Sequence, residues 1–183
     1  MKKILVTGAN GQLGQCLQKI SSQFEEFEFI FTDSETLDIT NKEEVNDFFW
    51  QNAPDFCINA AAYTAVDLAE TEVEKAFLVN ADGTENLAEA CAENNAQFIH
   101  VSTDYVFDGS GQLPWTETDP TGPRNVYGHS KLAGEQGIAK QGVKHIIFRT
   151  SWVYGTEGGN FAKTMLRLAQ ERDKMNVIND QVG

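Results

Sequence analysis

Residues 2–20 read KKILVTGANGQLGQCLQKI, and the fold of the chain follows from them. KKILVTG is a short, nearly continuous apolar run ending in Gly, the pattern of a buried parallel strand. A helix is expected over residues 11–20, with Leu13 and Leu17 on one face. Between strand and helix stand Gly8, Gly11 and Gly14, spaced G-x-x-G-x-x-G. Glycine at these places serves a tight turn, a close approach of a pyrophosphate to bare backbone, and close packing of helix on strand. A helix N-terminus behind such a turn offers free N–H groups to phosphate. Turns also collect Gly for steric reasons alone, so the context decides. The spacing falls after the first strand and before the first helix, where a dinucleotide loop belongs.

Working outward, strands and helices alternate. FEFIFTD, residues 27–33, alternates and ends at Asp33, about twenty residues past the loop, where a carboxylate can accept from a ribose 2′-OH. Asp is common at strand ends, so a plain structural role stays open for it. A carboxylate there favours NAD over NADP. Thr40 and Glu43 have the capping-box spacing and open a helix through EEVNDFFW. FCINAAA is a third strand; residues 73–94 read as helix, with Gly83 marking a break or a close contact. AQFIHVST and KHIIFRTSW give strands four and five, GNFAKTMLRLAQERD a helix, and KMNVI a short sixth strand. The alternation predicts an α/β fold, a Rossmann-like doubly wound parallel sheet with helices on both faces. The longest irregular stretch, residues 108–125, holds three of the four prolines; loops of that length are commonly functional.

Composition excludes several classes. A net charge of −13 over 183 residues disfavours non-specific binding to nucleic acid or anionic membranes. No apolar run approaches the roughly 18 residues of a membrane span. The apolar core of the N-terminus, ILV, is too short for a signal peptide, so a cytoplasmic protein is expected. Cys16, Cys57 and Cys91 are odd in number and widely spaced, which favours reduced structural thiols. His100, His129 and His145 form no metal-ligand pattern. The acidic run ETEVE at 70–74 reads as a solvated face.

NVYGHSKLAGE, residues 125–135, sets Tyr127 and Lys131 four apart at a helix start. Taken alone they are a surface pair. Upstream, however, VSTDYVFDG lies at the carboxyl end of strand four, where open α/β sheets bind ligands. Gly8, Gly11 and Gly14 with Thr103, Tyr127 and Lys131 resemble the short-chain dehydrogenase/reductase pattern. Reduction of a ketone by hydride builds negative charge on the carbonyl oxygen, so a positioned acid must supply a proton. A Tyr phenol ionises near pH 10, and a neighbouring ammonium favours the phenolate and makes the phenol a stronger acid. The resemblance implies Tyr127 as proton donor, Lys131 as its partner and a ribose ligand, and Thr103 as a hydrogen-bonding partner of the carbonyl oxygen. Ser102 is a rival hydroxyl that strand alternation turns the other way.

Longer stretches, PDFCINAAAYTAVDLAE, STDYVFDG, FRTSWVYG, NFAKTMLRLAQER and VINDQVG, closely resemble the dTDP-4-dehydrorhamnose reductase family. That resemblance implies reduction of the 4-keto group of a dTDP-deoxyhexose by NADH or NADPH. It implies that Gly11, Gln12 and Leu13 line the pyrophosphate, Asp33, Asp38 and Ile39 the adenosine end, and Ala62, Tyr63 and Thr64 the cofactor after strand three. Thr103, Asp104 and Trp152 resemble the family's sugar contacts. Asp38 and Ile39 can equally be loop and helix staple, Tyr63 and Trp152 core aromatics, and Asp104 a turn residue. The family is often dimeric and uses Mg²⁺; a homodimer and a bound ion are implied in that sense alone, and no metal ligand stands out. The resemblance also implies that residues 1–183 are the NAD(P)-binding domain with the catalytic residues, that a smaller substrate domain lies outside this chain, and that the chain alone turns over little substrate. Dehydratases of the same fold carry Asp then Glu after the catalytic Thr; here Asp104 precedes Tyr105, which disfavours elimination of water. An epimerase or another reductase of the family, and a non-catalytic nucleotide-binding relative, are the alternatives. The latter typically loses the Tyr or the Lys, and both are present.

Overall fold

The computed structural model describes residues 1–111 and 113–177. Its sheet runs β2-β1-β3-β4-β5, with β1 Lys2–Thr7, β2 Phe27–Phe31, β3 Phe56–Asn59, β4 Gln97–Thr103 and β5 His145–Thr150. Every pairing is parallel. The helices are α1 Gln12–Ser21, α2 Lys42–Asn52, α3 Val66–Ala69, α4 Val73–Phe77, α5 Gly83–Glu93, α6 Val126–Lys140 and α7 Phe161–Glu171. This is the Rossmann-like doubly wound sheet that the alternation predicts. The expected sixth strand is a correction. Residues 174–177 carry no strand and are all exposed, without the ladder or the covered face that holds a strand; Ile178 lies outside the described residues.

Chain order reverses between β1 and β3, and open sheets bind ligands in the crevice outside the carboxyl ends at such a point. Gly8 sits in that crevice with φ +69°, a conformation natural to Gly. A Cβ there would lie 2.6 Å from the Ala61 backbone nitrogen. Backbone thus meets backbone where β1 and β3 end.

The core fills one side of the sheet. Leu5, Cys57 and Phe98 from the strands pack with Phe49 of α2, Leu87 and Cys91 of α5 and Ile138 of α6. Alternation sends Val6 to the other face, where it is also fully buried. On β5, Ile146 and Phe148 are both 54% exposed, whereas Ile147 packs against the core. The α7 helix buries no residue. It is tied to α1 by Asn160 Nδ2, which donates to Gln12 Oε1 at 2.9 Å.

Two local expectations shift. The start of α2 is capped by Asn41, whose side chain accepts from Glu44 N at 3.3 Å, rather than by Thr40. Asn is the stronger N-cap, and the Thr40 hydroxyl is already engaged by Asp38 Oδ1 at 2.8 Å. The expected helix over 73–94 is continuous but passes through a π-helical turn at Leu78–Asp82. Gly83 follows as a close contact: a Cβ would fall 2.8 Å from Ile39 Cγ1. A π turn inside a helix often marks a functional site, and here it presents Asn80.

Candidate active site

The glycine loop gives the first half of the site. Gly11 N donates to Gly8 O at 2.9 Å, closing the turn. A Cβ on Gly14 would collide with the Gly8 carbonyl and with Ala9, so α1 starts as close to β1 as backbone permits. Gly11 caps α1 with no side-chain hydrogen bond, and the first turn carries no acid. Free N–H groups and the positive end of the helix dipole therefore face the crevice, ready for an anion. Gln12 and Leu13 open that helix.

The second half is built on α6. The Asn125 side chain accepts from Gly128 N at 2.7 Å, and Glu70 Oε1 accepts from Val126 N at 2.8 Å. Any side chain on Gly128 would strike the Tyr105 carbonyl. Glycine there lets the helix settle on the turn Asp104–Val106 and carries Tyr127 to the end of β4. Tyr105 and Tyr127 meet edge to face at 5.7 Å. The Thr103 side chain donates to Asp104 Oδ1 at 3.0 Å and accepts from Tyr105 N at 3.2 Å. Burial raises the Tyr127 phenol above its ordinary range; Thr103 opposes this, while Asp104 and Tyr105 add to it.

Lys131 is turned into the sheet instead. Its Nζ donates to Val101 O at 2.7 Å and lies 3.1 Å from His100 Nε2. Burial pushes its ammonium down to about 8, with Glu135 opposing. His100 is held well below its usual value by burial and by Lys131. It also lies 3.2 Å from Asn59 Nδ2.

Sequence reasoning missed this polar layer. Asn59 Oδ1 accepts from Thr7 Oγ1 at 2.7 Å, joining β1 to β3. Asn80 Oδ1 accepts from Tyr63 N at 2.8 Å, and its Nδ2 donates to Tyr63 O at 3.0 Å and Ser130 Oγ at 2.9 Å. Asn80 therefore holds the loop after β3 against α6. Ser102, the rival hydroxyl, donates to Glu135 at 2.5 Å, and Arg149 grips Glu135 through Nε at 3.0 Å and Nη2 at 2.6 Å. The available signal was polar residues at strand positions otherwise apolar: Asn59 in FCIN and His100 in FIHVST.

The remaining candidates fall around the crevice. Asp33 lies just past β2, with its carboxylate held by Asn10 of the glycine loop, by Glu35 N and Thr36 N at 3.1 Å each, and by Thr36 Oγ1 at 2.9 Å. These donors, Thr36 first, lower its pKa. Asp38 closes a local turn on Thr40. Ile39 is buried in the core, which fits the staple reading. Ala62, Tyr63 and Thr64 form the loop after β3; the Tyr63 hydroxyl donates to Glu72 at 3.1 Å and Lys75 lies over its ring. The acidic run 70–74 is exposed at every residue but the half-buried Glu72, a solvated face as expected, from which Glu70 and Glu72 also make hydrogen bonds. Trp152 follows β5 with φ +51° and stacks edge to face on Phe161 at 5.5 Å, half exposed rather than core. Among the described residues no group of three or more His, Cys, Asp or Glu could hold a metal ion, and no helix is long and apolar enough to cross a membrane.

Topology and the glycine turn together define a Rossmann-like domain, with Thr103 and Tyr127 at the end of β4 and Lys131 one turn further along α6. A family profile described as "RmlD substrate binding domain" matches residues 1–183, and the chain belongs to that family. The dTDP-4-dehydrorhamnose reductase of Escherichia coli (strain K12) is 51% identical over 183 residues, 98% of this chain and 61% of the relative. A crystal structure of such a reductase from Clostridium acetobutylicum superposes with a TM-score of 0.95 at 46% identity, covering 99% of this chain and 64% of that one. Another, from Bacillus anthracis in complex with NADP, gives a TM-score of 0.92 at 43% identity over 96% of this chain and 62% of that one. The chain spans about three fifths of the length of the E. coli relative.

The depressed Lys131 pKa makes a prediction about stability. Below about pH 8 Lys131 is protonated folded and unfolded, and burying the ammonium costs stability in full. Between that pH and the ordinary lysine value of 10.5, the folded state alone sheds the proton, so stability rises with pH. The stability difference between the chain and its Lys131→Met variant should therefore shift by up to roughly 3 kcal/mol in favour of the unmutated chain between pH 8 and 10. Urea unfolding across that range measures it. A difference independent of pH would contradict a buried, depressed Lys131.

Proposed function

We propose that the chain is the cofactor-binding and catalytic part of an NAD(P)H-dependent reductase. Its substrate is dTDP-4-dehydro-6-deoxy-L-mannose (dTDP-4-dehydrorhamnose), whose 4-keto group is reduced to give dTDP-L-rhamnose. The observation that carries this is the seating of α6 by Gly128 on the turn after β4, which sets Tyr127 against Tyr105 beside the end of β4 where Thr103 stands, on the sheet edge that the glycine loop also faces. The relatives named dTDP-4-dehydrorhamnose reductase and the NADP complex support substrate class and cofactor.

The glycine turn fits a dinucleotide: Gly8 and Gly14 let β1, β3 and α1 meet backbone to backbone, which leaves the start of α1 open to phosphate. Gly11, Gln12 and Leu13 present N–H groups to the pyrophosphate. Asp33 stands at the adenosine ribose, beside Asp38, and its negative charge favours a free 2′-OH over a 2′-phosphate. Ala62, Tyr63 and Thr64 flank the cofactor from the loop that Asn80 holds. When bound, the nicotinamide supplies the hydride. Thr103 donates to the substrate's carbonyl oxygen as charge grows on it, and Tyr127 delivers its phenolic proton to that oxygen. Lys131 holds the ribose and, as an ammonium near the phenol, offsets the burial that raises it. Asp104 and Trp152 flank the sugar. The reading places the reaction in the cytoplasm, with a dTDP-sugar as the partner recognised.

Two measurements test it. The chain is fused to the part of the E. coli relative that it does not span, and NADH or NADPH oxidation is followed with dTDP-4-dehydrorhamnose. Turnover should appear and fall about 100-fold or more in Tyr127→Phe; undiminished oxidation in that variant, or bound cofactor that is never oxidised, contradicts the proposal. In the unfused chain Asp33→Ala should weaken NADH more than NADPH, and equal losses would mean that Asp33 does not read the ribose.

A further inference from the structure

The hydrogen bonds around His100 fix where its proton sits, and with it the state of Lys131. Ala61 N–H donates to Asn59 Oδ1 at 3.1 Å. A backbone N–H can meet only the oxygen of a carboxamide, so the Asn59 amide has one orientation, reinforced by Thr7 Oγ1 on the same oxygen. Asn59 Nδ2 must then donate, to Thr84 Oγ1 at 3.3 Å and to His100 Nδ1 at 3.2 Å. With Nδ1 accepting, a neutral imidazole carries its one hydrogen on Nε2. That hydrogen points at Lys131 Nζ, 3.1 Å away.

An ammonium has three donors and no acceptor. Facing Nε2–H it would set donor against donor, in a place where both side chains are buried and water does not intervene. An uncharged amine resolves the conflict, because its lone pair accepts from Nε2–H while one N–H reaches Val101 O at 2.7 Å.

We propose that His100 is a positioning residue that parks Lys131 against β4 and favours its uncharged amine over the ammonium, with Asn59 fixing the tautomer. Leaving His100 toward Tyr127 then favours the protonated form of Lys131, so release and charge are coupled. This deepens the proposed function and rests on it for its catalytic meaning: the charge that Lys131 brings beside the phenol is gated by its release from β4. It also accounts for a resting site in which Lys131 Nζ is turned to His100 and Val101.

Burial sets the main preference of Lys131, and His100 is the side chain in direct contact with its Nζ. On its own helix Glu135 favours the ammonium, but it is engaged by Arg149 of β5 and Ser102 of β4. The π turn contributes the uncharged Asn80, whose Nδ2 goes to Ser130. From α5, Glu85 accepts from Gln141 at 3.0 Å, at the far end of α6. Asp104 acts on Tyr127.

The test uses the 183-residue chain without cofactor, so failed nucleotide binding or turnover would leave it standing and its own failure would leave the reductase reading standing. Histidines are labelled with ¹⁵N and lysine Cε with ¹³C, with Lys131→Met as the assignment control. His100 is expected to show a bare Nδ1 and a protonated Nε2 near neutral pH. Lys131 is expected to titrate well below the surface lysines. Replacing His100 by Leu should raise the Lys131 midpoint by about one pH unit or more. His100→Gln, whose amide N–H stands in for Nε2–H, should restore the low midpoint, which a merely space-filling role would not require. A proton on Nδ1, or a Lys131 midpoint unmoved by His100→Leu, overturns the proposal. Should His100→Leu not fold, the tautomer of the unmutated chain decides alone.

Discussion

The closeness with which α6 lies on the end of β4 is the constraint that the rest of the site obeys. No side chain larger than hydrogen fits at Gly128 against the Tyr105 carbonyl, or at Gly134 against the Asn80 carbonyl. Two backbone contacts thus set both the height and the rotation of the helix. Given them, the i and i+4 positions 127 and 131 face the strand end. Tyr127 meets Tyr105 just past the strand, and Lys131 reaches Val101 and His100 on the strand itself. The same device operates at the other end of the crevice, where Gly14 presses α1 against the turn at Gly8. Both halves of the site are places where backbone replaces side chain.

Such closeness buries polar groups, and each buried polar group needs a partner. Among the described residues no buried side-chain nitrogen or oxygen lacks one. The partners form three short chains that cross from element to element: Thr7 to Asn59 to His100 to Lys131; Tyr63 to Asn80 to Ser130; and Ser102 to Glu135 to Arg149. Each ends on α6 or passes through it. Apolar packing of Ile138 and Leu87 gives the helix affinity for the sheet, while these directional bonds select one seating among many apolar ones. That division explains why the crevice at the strand ends can stay open and polar above a dry core.

Much of this was readable in the sequence where a residue type has one physical use. KKILVTG followed by Gly8, Gly11 and Gly14 told both the strand and the turn, because period and glycine spacing act locally. The alternation of elements gave the parallel sheet. The sixth strand was misjudged because a short apolar run reports burial only when a neighbour covers it, and 174–177 is exposed. The cap of α2 was off by one residue because Thr40 and Asn41 are both good caps and only the Asp38 turn distinguishes them. The resting place of Lys131 was not legible at all. Its position i+4 from Tyr127 suggests an ammonium beside a phenol, whereas its actual partners come from β4, thirty and thirty-one residues away. Long-range hydrogen bonds of this kind leave only a polar residue in an apolar strand as their trace.

The seating of the nucleotide bears most directly on all of this, and a crystal structure of the chain with NADPH or NADH measures it. The pyrophosphate should lie over the N–H groups that open α1 at Gln12 and Leu13, in the crevice between β1 and β3. Lys131 Nζ should have left His100 for the nicotinamide ribose, with Tyr127 and Thr103 beside the ring. A nucleotide seated away from the glycine turn would contradict the assignment of the site. A bound nucleotide with Lys131 still against His100 would contradict the part given to Lys131.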